Sequence, residues 1–300
     1  MIYSIPSESA GLTVGEFLKQ NGYSRHLITR LKQMPDGITA DGRSIYTSHN
    51  LDGVKRLCVR LPEESASAKI VETPMALDIV YEDDDLLILN KAAGVPIHPS
   101  QGNYDCTLAN GLAYYFRQKG EPFVYRAINR LDRDTTGLLI LARNPLSAAI
   151  LSRMTMERSI HRKYLAVATG LVSESGTITA PIARVEGSTI ERCVDETRGE
   201  YAVTSYRRLF YNTGLDCSLL QVTLETGRTH QIRVHLKHIG HPLPGDFLYN
   251  PDYRFITRQA LHSYCLEFTH PVTGESLKFQ APLPPDMQFI YDIERRSPLG

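Results

Sequence analysis

Apolar positions recur along this chain at two periods, and the places where the period changes mark its elements. Leu12, Val14, Phe17 and Leu18 follow helical spacing, and a second helix fits Ser24 to Gln33 with Ser24 as its N-cap. Gly37 to Arg43 reads as strand, turn and strand, and Cys58 to Leu61 as a closing strand. From Glu63 to Thr73 the residues are polar and small, which is the composition of a linker. Farther on, Leu77–Tyr81 and Leu86–Leu89 flank an acidic turn as a hairpin, and Leu108, Leu112 and Phe116 recur every four residues as a helix would. Leu138–Ala142 predicts a buried strand, followed by a helix marked by Leu146, Ile150 and Met154. Lys163–Thr169 alternates, with Tyr164, Ala166 and Ala168 on one face. Leu220, Val222 and Leu224 mark another strand, and Leu261–Phe268 one more. Runs of strands with few helices predict an α+β fold with a mixed, mainly antiparallel sheet over 74–292. A small α/β unit precedes it at 1–62, with a linker at 63–73 and a tail at 293–300.

Composition narrows this picture without deciding function. The chain has 300 residues, 42% hydrophobic and 22% charged, as ordinary globular proteins do. No apolar run is long enough to span a bilayer and no N-terminal leader pattern is visible, so a cytoplasmic location is expected. Five scattered cysteines without a C-x-x-C pair suit a reducing compartment and argue against a cysteine zinc site. Basic and acidic residues balance at 33 each, which taken alone speaks against nucleic-acid binding. The charges are unevenly placed, however. Arg126–Lys163 holds eight Lys/Arg against three acids, and a local positive face can hold phosphates whatever the total charge.

Two segments carry candidate chemistry. The first is Arg130-Leu131-Asp132-Arg133-Asp134-Thr135-Thr136-Gly137, leading into the apolar run Leu138–Ala142. It predicts an ionised carboxylate on a tight loop at the edge of a buried strand, with guanidinium groups on both sides. A free aspartate titrates near 3.9. In a closed pocket desolvation would raise that value and an arginine partner would bring it back. The plain alternative for an Arg-x-Asp-Arg cluster is a surface salt bridge. The second segment runs from Thr226-Gly227-Arg228-Thr229-His230-Gln231-Ile232-Arg233 to Pro242. Ile232, Leu236 and Ile239 form a helix's apolar face, and Thr229, Arg233 and Lys237 share another. His235, His238 and His241 invite a zinc reading, but no acidic or cysteine ligand accompanies them and the spacing drifts around a helix, so no metal is expected. No phosphate-binding P-loop, G-x-S-x-G or H-E-x-x-H pattern occurs, which leaves hydrolase and nucleotide chemistry without support.

The first segment closely resembles the catalytic motif of RluA-type pseudouridine synthases, with Asn129 where that family has histidine and Thr136 where it has serine. The second resembles the family's G-R-x-H-Q-I-R-x-H motif, and Arg162-Lys163-Tyr164-Leu165-Ala166 resembles its K-x-Y strand. Gly94–Pro99 and Ala260-Leu261-His262 resemble two further family segments. The resemblance covers about residues 77–285. It implies a pseudouridine synthase catalytic domain that isomerises uridines in structured RNA, ribosomal RNA before transfer RNA, with no cofactor. It further implies Asp132 as nucleophile, Arg233 as its partner, and Tyr164 stacking on the target base. Arg130 would take the space of the flipped nucleotide, and Arg133, Arg228, His230 and His98 would contact RNA. For Tyr164 core packing is the ordinary alternative. The helix-helix-strand order at the N-terminus resembles an S-four-like RNA-binding domain, which implies a phosphate-contacting face of Arg25, Arg30 and Lys32. The alternative there is a solvated helix face. The competing functional class is a catalytically silent RNA-binding or ribosome-assembly protein that keeps the fold. No heptad pattern appears, so a monomer without membrane partners is expected.

Overall fold

The computed structural model describes residues 1–9, 11–65 and 70–292. The expected linker is therefore described only at its two ends, and the expected tail at 293–300 lies outside the described residues. No helix among the described residues is long and apolar enough to cross a membrane.

At the N-terminus, β1 (Ile2–Ser4), β2 (Ile38–Ala40), β3 (Arg43–Ser44) and β4 (Arg56–Val59) form an antiparallel sheet in the order β1-β4-β2-β3. Two helices pack on it, α1 (Val14–Gln20) and α2 (Arg25–Gln33). Both begin where the sequence supplies a cap. Thr13 and Glu16 form a reciprocal capping box, and the Ser24 hydroxyl accepts from Leu27 N–H. β4 starts two residues earlier than Cys58, because its ladder partner is the unforeseen strand β1, which pairs Ile2 with Cys58 and Ser4 with Arg56.

The second sheet carries nine strands. β5 (Ile79–Glu82), β6 (Leu86–Lys91) and β7 (Thr136–Ala142) make its first antiparallel ribbon, with α3 (Leu108–Gln118) connecting β6 to β7. After α4 (Pro145–Met156) come β8 (His161–Thr169) and β9 (Ser175–Thr179), then a separate hairpin of β10 (Ile182–Arg184) and β11 (Arg192–Val194). β12 (Val203–Asn212), β13 (Cys217–Leu224), α5 (Gln231–His238), β14 (Leu261–Thr269) and β15 (Ser276–Gln280) follow. The order is β5-β6-β7-β14-β8-β13-β12-β9, with β15 on β14. Among the described strands only the β7–β14 contact is parallel, so the sheet is mixed and mainly antiparallel.

The alternation of β6 and β7 feeds two cores. Leu86, Ile88, Leu138, Ile140 and Ala142 point to a core shared with α4 and the N-terminal unit. Leu87, Leu89, Leu139 and Leu141 point to the opposite core, which holds α3 and the apolar face of α5. Each such Leu or Ile, fully buried, contributes about 1.5–3 kcal/mol. The N-terminal unit closes onto the sheet layer at Gly22, where any Cβ would overlap the Ile150 side chain of α4.

Candidate active site

Asp132 sits on a loop that its neighbours lock to β7 from three sides. The buried Asn129 side chain accepts from Ile140 N–H at 2.8 Å and donates to Leu138 O at 3.4 Å, tying the loop's start to the strand it precedes. Asn129 is thus a scaffold residue. Thr135 N–H returns to Asp132 O at 3.1 Å and closes a turn around the aspartate. Beneath it lies Lys91, 3% exposed, whose Nζ donates to the carbonyls of Ala92, Val95 and Arg133. Burial pulls the Lys91 ammonium down to about 7, against the opposing attraction of Asp134. Gly137, at φ +110°, completes the loop. A side chain there would run into the backbone of Ser263 where β14 passes beside β7, so only glycine permits that parallel contact.

The partner comes from α5. Its N-cap, His230, takes a left-handed conformation, and the buried Gln231 fixes the helix start by accepting from Arg228 N–H and Thr226 Oγ1 while donating to Val203 O and Thr204 Oγ1. Arg233 then reaches inward, its side chain 1% exposed, and its Nη1 donates to Asp132 Oδ2 at 2.8 Å. On its other edge Nε and Nη2 grip both oxygens of Asp246, at 2.6 and 2.7 Å. Asp246 Oδ1 also accepts from the backbone of Leu248 and Tyr249. Burial works against the Arg233 charge, but the Asp246 hydrogen bonds and the two carboxylates outweigh it and hold the guanidinium above the ordinary arginine value. The ring of Tyr249 lies 4.9 Å from the guanidinium carbon.

Asp132 itself keeps 27% of its side chain exposed, so it is half-buried and reachable rather than sealed. It faces a cleft of about 530 Å³, within the roughly 300–1,000 Å³ range of small-molecule sites. Tyr164 of β8 forms part of the wall, and burial pushes its hydroxyl up, so it stays protonated at neutral pH. His230 presents Nε2 4.0 Å from Asp132 Oδ2 and shares a 2.9 Å hydrogen bond through Nδ1 with the Tyr249 hydroxyl. Its pKa falls below the usual histidine range, first through burial, so at pH 7 it is a neutral neighbour and not a second cation.

The remaining residues singled out in the sequence are dispersed. Arg130 lines the cleft, exposed and without an ion pair among the described residues. Arg133 departs from expectation: its guanidinium turns to Asp134 at 3.0 Å, and among the described residues neither it nor Arg130 pairs with Asp132. Arg228 lines the cleft but is held by Glu200 and by Tyr201 O. His98 is exposed, its ring edge-on to Tyr125 at 5.5 Å, and it does not line the cleft. Arg25 and Lys32 are exposed on α2, and Arg30 is 3.6 Å from Glu64. Thr229, Arg233 and Lys237 do not share a face, because Thr229 precedes the helix, Arg233 is buried and Lys237 is exposed. Nor do the histidines converge: His235 uses both ring nitrogens on Thr204 and Ala180 O, and His241 bonds Thr169 O.

Asp246, Lys91 and Gln231 were not foreseen. Gly245-Asp246 was the only cue to the first: at φ +73° a side chain on Gly245 would overlap Arg258 O, so glycine permits the turn that delivers Asp246.

A family model described as RNA pseudouridylate synthase matches residues 85–238. An uncharacterized RNA pseudouridine synthase of Bacillus subtilis, YjbO, is 39% identical over 92% of this chain and 97% of its own length. Ribosomal large subunit pseudouridine synthase D of Neisseria meningitidis serogroup A is likewise 39% identical, over 97% of this chain and 81% of that protein. Among solved structures, human RNA pseudouridylate synthase domain containing 1 aligns with a TM-score of 0.59 at 28% identity, covering 77% of this chain and 89% of the other. With both motifs meeting in one cleft and relatives matching over nearly the whole chain, the protein belongs to the RNA pseudouridylate synthase family, as an isomerase of the RluA type.

Proposed function

We propose that this enzyme isomerises specific uridines in structured ribosomal RNA, with Asp132 acting on the ribose of a nucleotide extruded into the cleft. The ribosomal assignment draws on relatives named as large-subunit pseudouridine synthases. The single observation carrying the mechanism is the 2.8 Å contact between Arg233 Nη1 and a half-exposed Asp132 carboxylate inside a cleft of nucleoside scale.

In this reading the bond from ribose C1′ to uracil N1 breaks with assistance from the Asp132 carboxylate. The uracil turns within the pocket and C5 bonds to C1′. The proton on C5 leaves and N1 regains one, so atoms and electrons balance without a redox partner or a cofactor. Arg233 holds the carboxylate in place through its 2.8 Å hydrogen bond. Tyr164 supplies a flat face for the base and a protonated hydroxyl near the ring. Arg130 enters the space the nucleotide vacates, which lowers the cost of holding the base out of its stack. Arg228 and His230 line the same wall and contact the flanking RNA. We assign residues 1–62 as an S-four-like RNA-binding module, with Arg25, Arg30 and Lys32 meeting phosphates, and 74–292 as the catalytic domain.

The test is to incubate the protein with large-subunit ribosomal RNA transcribed in vitro, hence free of modification, and to map pseudouridine by carbodiimide labelling. Conversion at a small number of fixed positions is expected. Binding without conversion would instead mark a protein that has kept the fold and lost the chemistry.

A further inference from the structure

Beside the cleft lies a second pocket, of about 430 Å³, that shares Gly227 and Arg228 with it. Its wall is the β10–β11 hairpin together with Arg198, Glu200 and residues 227–229, and it carries Arg184, Arg192, Arg198 and Arg228 against the single acid Glu200. Two of the four arginines are already engaged. Arg198 grips Asp195 at 2.7 Å, and Arg228 is paired with Glu200.

The other two are not neutralised. Arg184 makes no side-chain hydrogen bond or ion pair among the described residues, and Arg192 Nη1 donates only to the carbonyls of Ile190 and Glu191, each at 3.0 Å. They are also direct cross-strand partners in the hairpin register. Like charges in that position destabilise a β-ribbon, so the hairpin carries a repulsion that an anion between the two guanidinium groups would relieve. The hairpin is wired to the catalytic residues as well. Arg192 N–H donates to the Tyr249 hydroxyl at 2.9 Å, and the same oxygen bonds His230, the neighbour of Asp132.

We propose that this pocket is a second RNA subsite, in which Arg184 and Arg192 hold backbone phosphate beside the extruded uridine. The inference rests on the functional reading above and extends it. Guanidinium forks match phosphate oxygens in pairs, and a phosphate fixed there would set the register of the strand relative to Asp132 through Tyr249 without reading its sequence.

The experiment measures binding of a fluorescein-labelled large-subunit ribosomal RNA transcript across a salt series, for the full chain and for Arg184→Gln, Arg192→Gln and the double variant. One phosphate held by the pair contributes about 0.7 to the slope of log affinity against log salt on single-stranded RNA. The double variant is expected to lose about that much slope and to bind about tenfold more weakly near physiological salt, with KM raised and kcat kept. Its thermal midpoint should equal or exceed that of the native protein, because a like-charge pair has gone. Arg184→Lys, which keeps the charge, should retain the slope. Unchanged slope and affinity within twofold would overturn the proposal, as would a lower midpoint with equal loss in Arg184→Lys, since the loss would then be structural. Failure of the native protein to convert any uridine counts against the enzymatic reading alone, because the salt slope is read without turnover.

Discussion

The floor of the cleft and its rim use the same residue type for opposite ends. On the floor Arg233 is 1% exposed and every nitrogen of its guanidinium points at a carboxylate, so the side chain has one geometry. On the rim Arg130 is exposed with no ion pair among the described residues, and there Arg158 reaches only Glu225, at 3.8 Å. A saturated arginine can position something but cannot bind a newcomer. An unsaturated one is free to meet a phosphate and adds little to the fold. On the proposed function the floor holds Asp132 and the rim meets RNA.

Four changes break or sharpen that contrast. Arg233→Gln should have the largest effect, because it leaves Asp246 charged, buried and unpaired. A stability loss of about 3–5 kcal/mol by denaturant unfolding is expected, with uridine conversion below detection. Asp246→Asn keeps the shape and removes one carboxylate, so Arg233 is no longer held on both edges. If the clamp acts by aiming Asp132, kcat should fall about a hundredfold with KM little changed. A KM effect alone would mean that Asp246 serves RNA binding.

The frame behind the floor has its own signature in acid. His262, buried beside Thr136 at 2.8 Å, has a pKa brought down to about 4, chiefly by burial. The unfolded chain takes up its proton near 6.5 and the folded one does not, so between pH 6.5 and 4 the unfolded state binds more protons and stability falls as pH falls. The loss from this residue should be of the order of 3 kcal/mol across that window. It is read as urea midpoints against pH, and the slope should flatten in His262→Gln. The smallest stability effect belongs to the rim. Arg130→Ala should stay within about 0.5 kcal/mol of the native protein, yet slow turnover on folded RNA more than it weakens RNA affinity. Equal losses in rate and affinity would remove its role in extraction.

What the sequence discloses follows the same division. Period and capping were enough for α1, α2, α3, α4 and the strands around Asp132, because these elements are held by local pattern and by the two cores on either side of β6 and β7. The contact between Asp132 and Arg233 was legible only through two segments resembling one family, since nothing local joins positions 101 residues apart. Asp246 stayed hidden because Gly245 hints at a turn but not at what the turn delivers, and burial against α5 has no short-range signal. The flanking arginine Arg133 misled for the converse reason: adjacency in sequence suggested a partner for Asp132, but the side chain found Asp134. The β10–β11 hairpin escaped notice too, being only three residues a strand.

The most direct test exchanges one oxygen for nitrogen. Asp132→Asn keeps the side chain's size and can still accept one hydrogen bond from Arg233, so the variant should fold with a thermal midpoint close to the native one. Under single turnover on unmodified ribosomal RNA transcript, conversion of uridine to pseudouridine should fall by roughly 10⁴-fold or more. A folded Asp132→Asn protein that converts uridine at the native rate would contradict the account at its root.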